Sequence, residues 1–252
     1  MRGLGTLINL VAVAVGGGLG LFAGDRLPER VRRTIMQGLG LVTLAVGIVG
    51  LEPLYEPDAG LRRFIVLIAG IILGGLAGEA LRLEDRLEGL AGGLQRRWAR
   101  RSGAPGDAVE GEATSEHRFV EGFVVASTVF CAGPLTVLGS IEDGLGISVR
   151  SLAIKSALDF FAAIGFASVY GIGVLGSLLT ILVYQGGLTL AASLVEPLMT
   201  AEVIAQLGAV GSLLVLGIGL RLLDIARVRI VSLMPALLIG PAIAGLFEAL
   251  FL

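Results

Sequence analysis

The sequence predicts an all-α fold, a polytopic transmembrane helical bundle of about eight crossings with an inverted repeat and interrupted helices. Three observations carry that reading. Of the 252 residues, 55% are hydrophobic and 39 are glycine, and the mean hydropathy is +0.89, a composition too apolar for an ordinary soluble domain. The apolar residues gather into eight runs separated by charged turns. Glycine-centred motifs near the two ends of the chain repeat each other at matched spacing.

The first run, residues 5–24, stops at Asp25-Arg26-Leu27-Pro28-Glu29-Arg30, where proline removes a helical donor and the charges cannot enter lipid. Only Arg2 precedes it and no small-residue cleavage site follows, so it is expected to be a retained helix rather than a signal peptide. Run two covers residues 34–51 and run three 64–83, which completes a first repeat within residues 1–83. Residues 84–118 follow as the one long polar segment. It opens as an amphipathic helix (Leu83, Leu87, Leu90 and Leu94 against Arg96, Arg97, Arg100 and Arg101). From Ser102 to Glu116 it has too little apolar content to fold, and a flexible loop is expected.

The central unit, residues 119–170, holds runs four (119–141) and five (151–170). Run four breaks at Phe130-Cys131-Ala132-Gly133-Pro134, which makes either a broken span or a re-entrant hairpin. Run five carries Lys155 and Asp159. Because residues 152–195 hold no other charge and are long enough to cross twice, run six (174–195) is separate, with Gly171-Ile172-Gly173 as the turn. Runs seven (203–222) and eight (230–251) complete a second repeat within residues 171–252.

Charge placement orients the runs. Arg26, Arg30, Arg32 and Arg33, the arginines from Arg86 to Arg118, and Arg221, Arg227 and Arg229 lie in turns separated by even numbers of crossings. The positive-inside rule then puts the long loop in the cytoplasm and both termini outside. The same placement makes the arginines topological signals, so no nucleic-acid partner is expected. A single cysteine, Cys131, and a single histidine, His117, exclude an intrachain disulfide and a classical zinc cluster, and no cofactor is expected.

Gly5-Thr6-Leu7-Ile8-Asn9 recurs as Gly176-Ser177-Leu178-Leu179-Thr180, Gly16-Gly17 as Gly186-Gly187, Gly47-Ile48-Val49-Gly50 as Gly217-Ile218-Gly219-Leu220, and the glycines from Gly74 to Gly78 as Gly240 to Gly245. Runs one to three then match runs six to eight, an odd offset that inverts the copies in the membrane. Gly16/Gly20/Gly24 and Gly70/Gly74/Gly78 form stripes for close helix packing. Their number predicts a homodimer. The clusters Gly16-Gly17-Gly18 and Gln185-Gly186-Gly187 are instead expected to unwind locally and free backbone groups.

These motifs, with Arg26-Leu27-Pro28-Glu29, Phe130-Cys131-Ala132-Gly133-Pro134 through Asp143-Gly144, Lys155-Ser156-Ala157-Leu158-Asp159 and Tyr184-Gln185-Gly186-Gly187, resemble the bacterial YqgA family of uncharacterised inner-membrane proteins. The resemblance spans nearly the whole chain apart from the polar loop. It implies a multi-pass protein of the bacterial inner membrane, and it transfers no binding or catalytic residue.

Polar groups inside apolar runs must find partners and mark function by default. The candidate solute-binding residues are Asn9, Thr128, Gly133, Lys155, Asp159, Gln185 and Gly186. Lys155 and Asp159, four apart, share a helix face; either they neutralise each other, or Lys155 lies near the outer interface and snorkels, or Asp159 handles an ion or proton. Glu79 and Glu248 end their runs and are expected at the interface. The breaks in runs four and six are expected to meet beside Asp159, which predicts a secondary transporter of a small polar or charged solute, with a channel or a membrane scaffold as the alternatives. A Ser/Lys dyad of Lys155 with Ser151, Ser156 or Ser127 is the one enzymatic arrangement available. No nucleophile elbow or paired histidines accompany it, and the chain is not expected to be an enzyme.

Overall fold

The computed structural model describes residues 2–24, 26, 28–57, 59–86, 109–131 and 134–251, and every regular element among them is helical. Five single helices are long and apolar enough to cross a membrane: α1 (Leu4–Gly24), α3 (Gly60–Ala80), α6 (Arg150–Tyr170), α7 (Gly173–Leu190) and α9 (Ala201–Leu222). A sixth span runs through α10 (Ile230–Leu233) and α11 (Ala236–Phe251). Helix α2 (Glu29–Val49) carries a shorter apolar stretch, Arg33–Val49. Helices α4 (Val109–Cys131) and α5 (Pro134–Leu145) form one bent pair, turned by 62° at the break. A short α8 (Ala192–Val195) and 3₁₀ turns at Glu52–Tyr55 and Glu196–Leu198 complete the connections.

Side-chain size, more than polarity, divides the faces of these helices. On α1, Leu7, Val11, Val15, Leu19 and Phe22 point outward while Gly5, Gly16, Gly20 and Gly24 are buried. Lipid solvates large apolar groups as well as a core does, so inward positions go to residues that let backbones approach. Gly16, Gly20 and Gly24 rest on the carbonyl oxygens of Phe160, Ile164 and Ser168 on α6, where an added Cβ would stand 2.4, 2.4 and 2.6 Å away. Both residue numbers rise together, so α1 and α6 are parallel. Gly70, Gly74 and Gly78 likewise meet Gly240, Ala236 and Ser232, and Gly40, Gly47 and Gly50 meet Leu223, Leu216 and Ser212. In these two contacts the numbers run oppositely, so α3 with α11 and α2 with α9 are antiparallel. The stripes that motivated a homodimer are thus used within the chain, and a second copy has to dock on other faces.

Helix α9 is the central post, with 72% of its apolar window buried against 50% or less in the other five spans. Thr200 caps its start, the hydroxyl accepting from Val203 N–H at 3.3 Å. The turn between α6 and α7 needs glycine because Gly171 sits at φ +75°.

The bent pair crosses the bundle. Gly173 abuts Phe119, and Arg118 donates to the Val169 carbonyl at 2.8 Å, which places the start of the apolar stretch of α4 where α6 ends. The far end of α5 lies where α6 begins, since Gly139 packs on Leu152 and Ser151 donates to Glu142 at 2.7 Å. Together α4 and α5 run alongside α6 from one end to the other, the course a broken span would take.

Three expectations need correction, and a fourth falls outside the described residues. Helix α4 begins at Val109, ahead of the apolar stretch that starts at Arg118, so residues 109–116 are helical instead of loop. Residues 87–108, most of the expected amphipathic helix and loop, lie outside the described residues. Run eight is interrupted at Met234 and Pro235, between α10 and α11, a break the apolar composition hid. Helix α1 continues through Gly16-Gly17-Gly18 and α7 through Gln185-Gly186-Gly187 without unwinding. At Gly16 and Gly17 the reason is contact: their missing side chains make room for Phe160 and Leu175. Gly186 makes only ordinary contacts and Gly187 has open space around it, and both remain helical, since glycine lowers helix propensity by only about 1 kcal/mol.

Candidate functional site

Helices α1, α5, α6 and α7 enclose a connected set of buried polar side chains. Parallel packing of α1 on α6 sets Asn9 beside Asp159, so the Asn9 side chain acts on that carboxylate. Asn9 is fully buried and donates through Nδ2 to Gln185 Oε1 at 2.9 Å. Gln185, also fully buried, donates through Nε2 to Thr6 Oγ1 at 3.2 Å. The hydroxyls of Thr6 and Thr189 share a 3.0 Å hydrogen bond, and Thr6 N–H donates to Asp143 Oδ2 at 3.2 Å. Beyond Asn9, Lys155 Nζ donates to Asp159 Oδ2 along one helix face. The side chains of that pair are 7% and 8% exposed, so Lys155 does not snorkel into solvent.

The break in run four borders this set. Lys155 Nζ lies 5.9 Å from the Phe130 ring centroid, a cation–π distance, and the lone Cys131 is close enough to feel both charges. Past the break, Thr136 reaches back to donate to the Phe130 carbonyl at 3.2 Å, replacing a helical partner that the interruption removes. Ser140 is buried one turn on, and Asp143, 1% exposed, follows.

Of the residues expected at the site, Asn9, Lys155, Asp159 and Gln185 come together. Gly186 lies one position along α7, with the Thr6 methyl 4.0 Å from where its Cβ would be. Thr128 is buried on α4 with its hydroxyl unpartnered, and it makes no hydrogen bond to the set. Gly133 lies outside the described residues. Sequence reading missed Thr6, Thr189 and above all Asp143. Their signal was present: Thr136, Ser140 and Asp143 are spaced by four and three, which on a helix is one polar stripe.

Two large apolar cavities lie elsewhere. One of 670 Å³ opens between α9, α11 and the end of α7, lined by Tyr184, Leu188, Val203, Leu237 and Pro241 among others. Another of 530 Å³ lies along α3, against Leu51, Leu54 and Leu213. Neither is lined by Asn9, Lys155, Asp159 or Gln185, and those four side chains are buried in this conformation. Among the described residues, no three His, Cys, Asp or Glu side chains gather as a metal would require.

A second charged cluster closes the other half of the bundle. Arg63, near the start of α3, grips Glu202 of α9 through Nε and Nη2 at 3.1 and 2.8 Å, meets Glu56 at 2.7 Å, and donates to the Pro53 carbonyl at 2.9 Å. At the opposite end Arg229 bridges Glu79 and Glu84, at 2.7 and 2.9 Å. The hydrogen bond it donates to Glu84, helped by the charge of Glu79, holds that guanidinium above its ordinary pKa.

Fold and polar set together define a multi-pass helical membrane protein with a charged pair enclosed beside an interrupted span. The chain belongs to the family described as "Protein of unknown function (DUF554)", whose model matches residues 4–245. It is 32% identical over 248 residues to "Uncharacterized protein YqgA" of Escherichia coli (strain K12), covering 98% of this chain and 99% of that one. It is 27% identical over 245 residues to "Uncharacterized membrane protein YdfK" of Bacillus subtilis (strain 168), covering 97% of both. The resemblance read from the motifs is therefore correct. No solved structure matches the chain.

Proposed function

We propose that this protein is a secondary transporter, and not an enzyme, that crosses a bacterial inner membrane eight times with both termini outside. It moves a small polar or charged solute by alternating access. The observation that carries the reading is the Lys155/Asp159 pair, buried within a span and adjoined by Asn9, Gln185 and a broken helix. A charged pair is costly inside a membrane unless it is used, and interrupted spans are where transporters place solutes and coupling ions. The closed packing of the set corresponds to an occluded or resting conformation in such a cycle.

The inverted repeat is part of this reading: an odd offset between runs one to three and runs six to eight requires α3 to lie antiparallel to α11 and α2 antiparallel to α9, and the glycine contacts of both pairs have that sense.

Purified protein in liposomes, screened with panels of amino acids, organic cations and organic anions under imposed proton and sodium gradients, tests the reading. Saturable exchange of one solute class that Asp159→Asn abolishes, with the variant eluting as wild type on gel filtration, is the expected outcome. Uptake unchanged in Asp159→Asn sinks the role of the pair. Leak without saturation favours a channel, and no flux of any solute favours a scaffold.

A further inference from the structure

The carboxylate of Asp143 is buried among neighbours that leave one of its oxygens unserved. Oδ2 accepts from Thr6 N–H, whereas Oδ1 has no hydrogen-bond partner. No ion pair among the described residues includes Asp143: Lys155 is held by Asp159, Glu142 receives Ser151, and the Arg2 side chain lies beside Gly146. The surroundings are nevertheless built tightly. A Cβ on Gly5 would stand 3.2 Å from the Asp143 carboxyl carbon, and one on Gly144 would stand 2.1 Å from the Thr189 carbonyl oxygen. Two glycines thus bring the carboxylate against the start of α1 and the end of α7.

Oxygen atoms lie on the adjoining turns: the Thr6 and Thr189 hydroxyls, bonded to each other, the Thr189 carbonyl against Gly144, and, one turn inward on the Thr6 face of α1, Asn9 Oδ1, which is likewise without a donor. A buried acceptor lacking a donor is a debt that a water or a cation settles. With no cationic side chain paired to Asp143 among the described residues, the open Oδ1 is a position that a cation can take. Hydroxyl, carbonyl and a single carboxylate are hard ligands, which suit a monovalent ion better than calcium or a transition metal.

We infer that Asp143, with the hydroxyls of Thr6 and Thr189, binds a small dehydrated alkali cation. The inference rests on the transport reading for its purpose, since the hydrogen-bonded series Thr6, Gln185, Asn9 links this ion to Asp159 and makes it the coupling ion. Occupancy at Asp143 would set the position of α5, the second half of the broken span, against α1 and α7.

Thermal unfolding of the purified full-length protein, titrated with lithium, sodium, potassium or choline chloride at constant ionic strength, tests binding without any assumption about flux. One alkali ion should raise the midpoint saturably over choline. Asp143→Asn keeps an amide oxygen for Thr6 N–H and should fold but lose the ion response. Thr189→Val should weaken the apparent ion affinity roughly tenfold, and it carries the test if Asp143→Asn does not fold. Equal responses to all four salts, or responses unchanged in Thr189→Val and Asp143→Asn, overturn the site. Solute flux in the same liposomes separates the two claims: flux indifferent to the ion removes the coupling site and leaves the transporter, whereas ion stabilisation without flux keeps the site and removes the transporter.

Discussion

Two buried ion pairs hold the two halves of the bundle, and they differ in what surrounds them. Arg63 and Glu202 lie near the starts of α3 and α9, with side chains 8% and 16% exposed, and five contacts converge there from Glu202, Glu56, Arg62 and the Pro53 carbonyl. Lys155 and Asp159, with side chains 7% and 8% exposed, are the deeper pair, and they sit inside α6 with one carboxamide, one ring and an interrupted helix for company. The first pair is saturated and joins three segments. The second links residues of one helix to each other and ties little together. Satisfaction of partners thus marks the first pair as a lock and leaves the second as the candidate site.

The largest effect should come from opening the lock. Arg63→Ala leaves Glu202 with only Arg62 and removes the bridge between α3, α9 and the Glu52–Tyr55 turn. Removing one member of a buried pair costs about 3–5 kcal/mol. Chemical unfolding in detergent should show that loss, and Glu202→Ala should match it. A cost under about 1 kcal/mol would mean the cluster is an ordinary surface network.

The site should answer differently. The double substitution Lys155→Met with Asp159→Leu exchanges the pair for apolar groups of similar size, and such swaps are neutral or stabilising by about 1–4 kcal/mol. Unfolding in detergent should therefore be unchanged or later, while uptake in liposomes is lost. The same apolar swap at Arg63 and Glu202 should destabilise, because the Pro53 carbonyl and Glu56 lose their partner. If both double variants behave alike, the distinction between lock and site fails.

What the sequence disclosed follows the same division. Lys155 and Asp159 were legible because charges in an apolar run stand out and their spacing is helical; the break at Phe130 to Pro134 was legible because proline cannot donate. The stripes Gly16/Gly20/Gly24 and Gly70/Gly74/Gly78 read correctly as packing surfaces, though which helix each one meets was not legible, since that depends on pairings more than a hundred residues apart. Arg63 and Asp143 were overlooked because both sit beside charged neighbours, Arg62 and Glu142, that make their segments look like ordinary polar turns. Burial of one member of such a doublet is decided by helix rotation against a partner. Local composition does not encode that rotation.

Glycine pairs give the smallest and sharpest comparison. Gly16 and Gly187 belong to clusters that looked equivalent, but a Cβ at Gly16 would stand 2.4 Å from the Phe160 carbonyl while one at Gly187 meets nothing within 4 Å. Gly16→Ala forces α1 away from α6 and should cost about 1–3 kcal/mol, as overpacking does. It should also slow uptake, because Asn9 rides on α1 beside Asp159. Gly187→Ala removes backbone freedom from the unfolded chain at a position already helical, so it should gain about 0.4–1 kcal/mol. Uptake by Gly187→Ala should equal wild type if α7 stays a continuous helix throughout the cycle. A stable Gly187→Ala protein with lost uptake would instead restore an unwound α7 as a working state, visible only in a conformation other than this closed one. Thermal midpoints and initial uptake rates for the two variants, measured side by side, decide it.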